Sequence, residues 1–341
     1  MARKPLIAGA LAGLVLLAAA CGGDDDDGSA ATDPPATSSA DAAAETAATS
    51  EPDAPTSAPS GGSTVSSTSA EPGSDASAPD GDVPQRIISL SPPHTETLFA
   101  IGAGPQVIAV DEQSDYPPEV LDVQTDLSGY TPNVEAIAGY EPDLVVLSGD
   151  PTTAGQLEAL GIEVWQGPAA ETFDEAYTQM EQLGALTGHV AEAAELVAQL
   201  QTELDELVAS VPELPTPLSV YHELTPDGYS AGSGTFIGQI YELFGLRNIA
   251  DAAEDPSGFP QLNSETIIQA NPDLIFLADT ECCGESIDTV AARDGWADIA
   301  AVVNGNVFEM SDDVASRWGP RFVEYARQVR DALEQAVVPA G

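Results

Sequence analysis

Short apolar runs and amphipathic stretches alternate twice along this chain, over residues 83–171 and again over residues 212–341. The runs RIISLS (86–91), DLVVLSG (143–149) and DLIFLAD (273–279) are apolar and have the length of buried strands. Intervening stretches such as PPHTETLFAIGAG begin with helix-start residues and end in glycine. Strands that alternate with helices and are buried on both faces form parallel sheets, so the pattern predicts two α/β lobes.

Residues 172–211 carry a different pattern, which predicts uninterrupted helix. HVAEAAELVAQLQTELDELVASV places apolar side chains on one stripe, and Pro212 ends the pattern. A coiled-coil seam is the alternative interpretation, but the stripe is short for one. We predict one long helix that joins the N-terminal lobe (83–171) to the C-terminal lobe (212–341).

One sequence motif occurs twice, as NVEAIAGYEPDLVVL (133–147) and as NSETIIQANPDLIFL (263–277). Both copies share Asn-x-Glu at their start and Pro-Asp-Leu before an apolar end. The separation of the copies is far longer than the repeat of a solenoid. The repetition therefore predicts two lobes of similar design, each with an Asn-capped helix that stops before proline and leads into a strand.

The first twenty residues have the features of a secretory signal: basic residues, an apolar run that is short for a membrane span, and small residues before Cys21. The ending LAAAC resembles a bacterial lipobox, so we expect lipid on Cys21; a plain cleaved signal is the alternative. Acyl chains there would hold the mature protein on the outer face of the cell membrane.

Residues 21–82 are predicted to be a lipidated, disordered tether. Asp, Ala, Ser, Thr, Pro and Gly dominate the segment, which has no aromatic residue and a single β-branched apolar one, Val65. Such a composition cannot bury enough apolar surface to offset the entropy lost on folding. We interpret its acidic run, GGDDDDGS, as solvated.

Charge excludes one class of partner. The formal net charge is −47, and the only cationic side chains after residue 20 are arginines. Because nucleic-acid binding depends on many Lys or Arg contacts to phosphate, we expect no nucleic-acid partner.

The adjacent residues Cys282 and Cys283 can pair with each other, with another molecule, or with nothing. No nearby Cys or His completes a tetrahedral metal set, so we predict no metal site. Our hypothesis is a vicinal disulfide that stiffens its loop and offers a hard surface to a ligand, with two free thiols as the alternative.

No enzyme motif is present in the sequence. GSGTF lacks the frame of a Gly-x-Ser-x-Gly elbow, and there is no Walker loop, no Gly-x-Gly-x-x-Gly after the first strand and no His-Glu-x-x-His. We therefore predict a protein that is not an enzyme and needs no cofactor. A surface adhesion or signalling lipoprotein remains an alternative, because fold alone does not fix function.

The order of several motifs resembles that of the class III substrate-binding proteins of ABC importers, which handle cobalamin, ferric siderophores and haem. The motifs are RIISLSPPHTETLFAIGAG, SDYPPEV, both copies of the repeat, YSAGSGTF and SRWGPRFVEYA, and the likeness covers residues 84–336. It is strongest to the cobalamin-binding branch. The resemblance implies two α/β lobes joined by one rigid helix, a ligand held between them, and delivery by an extracytoplasmic monomer to a permease dimer with its ATPase.

The resemblance also implies a role for the repeat. Glu135 and Glu265 match the glutamates that dock onto arginines of the two permease subunits in the cobalamin system. A two-fold permease favours similar surfaces on both lobes. The alternative is that each acid stabilises the first turn of its helix through the helix dipole, and both roles are compatible.

Ligands of open parallel sheets bind beyond the carboxyl ends of the strands. The loops in that position contain the predicted ligand-binding residues: Tyr116, Tyr130, Tyr229, Arg317, Trp318 and His94. Large aromatic faces suit a flat, mostly apolar macrocycle. By the resemblance, Tyr130 stands near the family's cleft tryptophan, whereas Gln113 replaces a cleft tyrosine of the cobalamin-binding branch.

Two of these residues limit the choice of ligand. His94 could ligate haem iron or the cobalt of a corrinoid, with an ordinary polar surface role as the alternative. Only Arg317 and Arg321 stand near the cleft as cations, and we expect Arg321 to form a salt bridge. An anionic chelate needs several cations, so we predict a corrinoid ligand; a ferric siderophore or haem is the alternative.

Overall fold

The computed structural model of the chain describes residues 83–211, 216–253 and 255–337. The predictions for the signal at 1–20, for Cys21 and for the tether to residue 82 lie outside these residues. Among the described residues, no helix is both long and apolar enough to cross a membrane.

The N-terminal lobe, called the N-lobe, contains a five-stranded parallel sheet of strand order β3-β2-β1-β4-β5. Its strands are β1 (Ile87–Leu90), β2 (Val107–Asp111), β3 (Gln124–Leu127), β4 (Leu144–Leu147) and β5 (Glu163–Gln166). Its helices are α1 (Pro92–Ala100), α2 (Val134–Gly139) and α3 (Pro151–Ala159). Every residue of β1 and β4 is buried, as expected for central strands covered on both faces.

The C-terminal lobe, called the C-lobe, contains a four-stranded parallel sheet of order β7-β6-β8-β9. The strands are β6 (Ser219–Glu223), β7 (Arg247–Asn248), β8 (Leu274–Leu277) and β9 (Val307–Glu309). The helices are α6 (Phe236–Leu243), α7 (Ser264–Ala270), α8 (Thr280–Cys283), α9 (Ile287–Ala291), α10 (Ala300–Asn304), α11 (Asp312–Ser316) and α12 (Phe322–Val337). The prediction of two parallel-sheet α/β lobes is confirmed.

The joining segment consists of two helices, α4 (Phe173–Thr187) and α5 (Val190–Ser210). The prediction of uninterrupted helix is wrong at Gly188, which takes a left-handed φ of 78° and ends α4. Because Gly184 has no side chain, α4 can lie close to Ala193 of α5: a Cβ at position 184 would be 2.4 Å from the Ala193 Cβ.

The long helix α5 packs against both α4 and α12. Its buried stripe is formed by Ala193, Val197, Leu200, Leu204 and Leu207. Val190, the first apolar residue of the stretch that predicts the stripe, lies in the first turn of α5 and is exposed. Val197, Leu200, Leu204 and Leu207 join the core of the C-lobe, whereas Ala193 joins a core of the N-lobe, so α5 packs against both lobes.

The two copies of the repeat have the same local structure. Asn133 caps α2 by accepting a hydrogen bond from Ala136 N at 3.1 Å, and Asn263 caps α7 by accepting one from Thr266 N at 2.9 Å. The residues before the two Pro-Asp-Leu runs both have positive φ. A left-handed residue followed by proline ends each helix and turns the chain into the next strand.

The aspartate of each Pro-Asp-Leu run ties the repeat to the first strand of its lobe. Asp143 accepts hydrogen bonds from the backbone N–H groups of Gln85 and Arg86, at 2.7 and 3.0 Å. Asp273 accepts from the backbone N–H and the hydroxyl of Ser219, at 2.8 and 2.7 Å. This use of one residue explains the strand half of the repeat by folding alone.

Candidate functional site

Two cavities lie at the carboxyl ends of the strands and share one wall. The N-lobe cavity has a volume of about 600 Å³ and the C-lobe cavity about 560 Å³. The shared wall is Ser316–Trp318, the segment that follows α11. A ligand held against this wall would contact both lobes, as expected for a cleft at the carboxyl ends of parallel strands.

The N-lobe cavity is formed where β1, β2 and β4 end. Its lining consists of Leu90, Ser91, Pro92, Pro93, Asp111, Gln113, Gly129, Tyr130, Leu147, Ser148, Gly149 and Asp150, with Asp313 and Ser316–Trp318 from the C-lobe. The C-lobe cavity is formed by Ala169–Glu171, Leu224, Gly232–Ile237, Ala250, Asp251, Ala253, 255–260 and the shared wall. Apolar side chains and backbone thus supply most of the surface, and carboxylates supply most of the charge.

Two of the predicted aromatic residues face these cavities. Trp318 lies on the shared wall, where its indole Nε1 donates to Gln179 Oε1 at 3.3 Å. Tyr130 lies at the rim of the N-lobe cavity and is 86% exposed. Phe236 and Phe259 of the C-lobe cavity were not singled out from the sequence, although Phe236 ends the glycine-rich loop that we identified.

The other two predicted tyrosines, Tyr116 and Tyr229, line neither of these two cavities. The ring of Tyr116 lies under the guanidinium group of Arg321, with the carbon 4.1 Å from the ring centroid, and this cation–π contact turns it towards α12. Tyr229 is 41% exposed and pairs with Gln261 in an isolated antiparallel bridge.

Arg317 lies on the shared wall, but acids surround its guanidinium group. Glu96 and Asp115 of the N-lobe each accept from Nη1 at 3.3 Å, and Asp313 pairs with Nη2. The backbone oxygen of Gln113 accepts from Nη2 at 3.1 Å. The predicted cation of the cleft is therefore already neutralised by protein groups.

Arg321 forms the salt bridge that we predicted from the sequence. Its Nη2 and Nε donate to the buried carboxylate of Glu96 at 2.6 and 3.0 Å. Glu96 belongs to α1 of the N-lobe and Arg321 precedes α12 of the C-lobe, so this bidentate pair ties the two lobes together.

His94 does not have an ordinary surface role, because it is 2% exposed and bonded within the protein. Its Nδ1 lies 2.7 Å from Ser91 Oγ and its Nε2 lies 2.9 Å from Gln179 Oε1. The rings of Trp165 and Trp318 contact it edge-on. Burial lowers the pKa of His94 to about 4, so it is neutral at physiological pH and positions Gln179 and Trp318.

Asp111 is another cavity residue that we did not identify from the sequence. It ends β2 on the wall of the N-lobe cavity and is 1% exposed. Burial raises its pKa to about 6, while the backbone N–H of Gln113 donates to Oδ1 at 2.8 Å. The available signal was an apolar run, VIAVD, that ends in a carboxylate at the carboxyl end of a strand.

The remaining predicted residues lie away from the cavities. Glu135 and Glu265 are exposed in the first turns of α2 and α7, in equivalent positions of the two lobes. Cys282 and Cys283 are exposed at the end of α8, where the structure joins their sulfur atoms in a vicinal pair. Over the described part of the chain, no group of three His, Cys, Asp or Glu side chains is arranged to hold a metal ion.

Comparison with known proteins places this architecture in a family. The model of the periplasmic binding protein family matches residues 87–314. An uncharacterised ABC transporter substrate-binding lipoprotein, YvrC of Bacillus subtilis, is 31% identical over 259 residues, which cover 73% of this chain and 80% of the relative. The cobalamin-binding protein of Halobacterium salinarum is 30% identical over 267 residues, with coverages of 75% and 71%.

Solved structures agree with the sequence matches. The periplasmic heme-binding protein RhuT of Roseiflexus sp. RS-1, in its apo form, superposes with a TM-score of 0.66 and is 25% identical, over 74% of this chain and 98% of that chain. The chain belongs to the periplasmic binding protein family. The resemblance to class III substrate-binding proteins is confirmed, and so is the prediction that the protein is not an enzyme, because members of this family bind and carry solutes.

Proposed function

We propose that this periplasmic binding protein captures a corrinoid between its two lobes and delivers it to an ABC permease with its ATPase. The observation that carries the proposal is the pair of cavities that share the wall Ser316–Trp318. Each has the volume typical of a pocket for one small molecule. A large macrocycle would extend into both cavities and contact Trp318 on their shared wall.

The electrostatics of the cleft favour a corrinoid over the alternatives. Haem and many ferric siderophores carry carboxylates or other anionic groups, which need cationic partners in a site of low dielectric constant. The cation of the described cavity walls is Arg317, and three carboxylates already pair with it. The cobalamin-binding relative from Halobacterium salinarum supports the same choice. A ferric siderophore or haem remains the second candidate, supported by the haem-binding structural neighbour.

We further propose that Glu135 and Glu265 contact the two subunits of the permease. Both are exposed at the start of equivalent helices, one on each lobe. A two-fold partner would meet the same chemical group at both of its contact surfaces.

We also propose that the protein acts as a monomer outside the cytoplasm, anchored by lipid on Cys21. The proposal keeps residues 1–20 as the signal and 21–82 as the tether. The Bacillus subtilis relative is itself described as a lipoprotein. An adhesion or signalling lipoprotein is the alternative of another class, and binding of a corrinoid would argue against it.

Ligand titration tests the proposed function. The chain carrying Cys21→Ala, which cannot be acylated, is titrated with cyanocobalamin, cobinamide, haemin and a ferric siderophore in a calorimeter. We expect a dissociation constant below about 10 µM for a corrinoid, which corresponds to roughly −7 kcal/mol. Failure of both corrinoids to bind, with tight binding of haemin or siderophore, would transfer the assignment to the second candidate.

A matched pair of tyrosine variants locates the bound ligand. Tyr130→Ala removes a ring at the rim of the N-lobe cavity, whereas Tyr229→Ala removes an exposed ring outside both cavities. We expect Tyr130→Ala to weaken binding about tenfold and Tyr229→Ala to leave it within about twofold. The opposite result would move the ligand out of the cleft.

A further inference from the structure

We propose that the cleft selects a ligand with net positive charge, and that Asp111 is the residue that determines this selectivity. The inference rests on the proposed function, because it specifies the charge of the ligand that the same cleft takes.

Carboxylates dominate the charge of the cavity walls. Asp111, Asp150 and Asp313 line the N-lobe cavity, and Glu171, Asp251 and Asp255 line the C-lobe cavity. Among the described lining residues, Arg317 is the single cation, and its pairing with Glu96, Asp115 and Asp313 cancels its charge. Charges of one sign on the walls of a cleft attract the opposite sign and repel their own.

Several of these carboxylates already have protein donors. Asp150 caps α3 by accepting from Thr152 N at 3.0 Å and from the hydroxyl of Thr153 at 2.5 Å. Asp251 accepts from the backbone N–H and the hydroxyl of Ser233, at 2.8 and 2.7 Å. These hydrogen bonds give both groups a role within the folded chain, so their presence on the cavity walls does not depend on a ligand.

Asp111 differs because half of its carboxylate is unused. Oδ1 accepts from Gln113 N, whereas Oδ2 is buried and has no hydrogen-bond partner among the residues that the structure covers. An unpaired buried acceptor is costly, and the cost is greater for a charged one. A cation or donor delivered by the ligand at the cavity wall would supply the missing partner.

The backbone around Asp111 keeps the space beside it open. A Cβ at Gly129 would lie 2.6 Å from the backbone oxygen of Leu90 and 3.5 Å from Asp111 Oδ2. Any side chain at position 129 would therefore force the backbone apart and cover the carboxylate. With a pKa of about 6, Asp111 is mostly ionised at neutral pH and can attract a cation there.

The test compares two corrinoids that share the ring and nucleotide loop but differ by one positive charge: aquacobalamin, which is cationic, and cyanocobalamin, which is neutral. We expect the Cys21→Ala chain to bind aquacobalamin about tenfold more tightly at ~0.01 M ionic strength, and the ratio to shrink towards one at ~1 M, where screening acts over about 3 Å. The visible spectrum of the bound corrinoid reports any exchange of its axial ligand.

Two variants assign the preference to Asp111. Asp111→Asn keeps the acceptor for Gln113 N and removes the charge, so we expect the ratio of aquacobalamin affinity to cyanocobalamin affinity to fall to within about twofold of one. Asp126→Asn removes the same charge from β3 on an exposed residue outside both cavities and should keep the preference. Urea denaturation monitored by circular dichroism shows that each variant is folded.

Each outcome distinguishes this inference from the proposed function. Equal binding of the two corrinoids overturns the charge selectivity, and a preference that survives Asp111→Asn overturns the role of Asp111. Both results leave the corrinoid assignment intact. If no corrinoid binds, the proposed function fails. Charge selectivity is then tested by comparing the affinities of a linear ferric trihydroxamate with a free amine and of its neutral N-acetylated form. Tighter binding of the amine form, lost in Asp111→Asn, supports the inference; equal binding overturns it.

Discussion

In the N-lobe, the buried carboxylate of Glu96 pairs with Arg317 and Arg321 of the other lobe, whereas the buried Glu223 of the C-lobe pairs with Arg293 of its own lobe. Both are buried arginine–glutamate pairs with short, charge-assisted hydrogen bonds. The first pair fixes the position of one lobe against the other. The second fixes the loop after α9 against the end of β6.

The buried histidines of the two lobes show the same contrast. His94 of the N-lobe bonds to Gln179, which holds the cleft residue Trp318, while His222 of the C-lobe bonds to the hydroxyl groups of Tyr241 and Tyr325 in the core. Burial lowers the pKa of both histidines. Both rings are thus neutral polar groups, one behind the cleft and one inside a lobe.

Asp111 ends β2 on a cavity wall, whereas Asp279 follows β8 and lines neither of the two cavities. The Asn caps and the hydrogen bonds of the Pro-Asp-Leu aspartates are the same in both lobes. The lobes therefore differ in the residues that follow the strands. The shared motif therefore specifies the scaffold, while the residues at the strand ends decide which lobe contributes charge to the cleft.

Removal of either buried glutamate should have the largest effect on stability. We expect Glu96→Ala and Glu223→Ala each to lower the free energy of unfolding by about 3–5 kcal/mol, because each leaves a buried arginine without its main partner. Urea denaturation monitored by circular dichroism measures the loss. Only Glu96→Ala should also weaken ligand binding, since only this residue joins the lobes.

The exposed pair of Glu203 and Arg327, at 3.3 Å, is the matched control. Glu203→Ala should cost less than about 1 kcal/mol, because solvent screens the pair. A loss for Glu96→Ala as small as that for Glu203→Ala would show that the contact between the lobes contributes no more than a surface ion pair.

The sequence was sufficient for the scaffold because its signals are local. Apolar runs such as those of β1 and β4 predict buried strands wherever they occur, and Asn133 and Asn263 predict caps from the residues next to them. The break at Gly188 was missed because the helical apolar pattern continues on both sides of it. A glycine followed by a histidine in a polar stretch was the only local signal.

The site was predicted less well because it depends on contacts between distant segments. The partners of Arg317 come from α1 and from the loop after β2, and no spacing in the sequence pairs them. Tyr116 and Tyr229 line neither cavity, and their contacts with Arg321 and with Gln261 are made between segments distant in sequence. Asp111 resembles an ordinary aspartate that ends a strand until its burial is known.

Charge reversal of the two glutamates in the shared motif tests whether both lobes contact the permease. We expect the double variant Glu135→Arg, Glu265→Arg to reduce ligand uptake by cells about a hundredfold, because both proposed permease contacts become repulsive. Each single variant should lose roughly tenfold. Uptake of radiolabelled ligand by a strain that carries each variant as its only copy measures the effect.

Ligand affinity of the purified double variant is the control and should be unchanged, because both residues lie outside the two cavities. Charge reversal of an exposed glutamate on another helix, such as Glu195 of α5, provides a further comparison. Normal uptake by the double variant would leave both acids with the role of helix-dipole partners alone.

Substitution of Asp279 should have the smallest effect. This residue follows β8 of the C-lobe and lines neither cavity. Burial raises its pKa to about 7, with Glu223 and Glu285 adding repulsion, and neither carboxylate oxygen has a hydrogen-bond partner within the described chain. Its pKa in the unfolded chain is about 4. The folded protein therefore holds this proton more tightly, and stability falls as the pH rises from about 4 to about 7.

Asp279→Asn removes this dependence. We expect the variant to be more stable than the parent by about 1–3 kcal/mol at pH 8, with the gain vanishing towards pH 4, as measured by urea denaturation across the range. Asp298→Asn, at an exposed residue of the same lobe, should show no such trend. If Asp279→Asn loses stability at pH 8, the ionised carboxylate of Asp279 has a stabilising partner. The C-lobe would then contain a carboxylate able to hold a cation, in addition to Asp111 of the N-lobe.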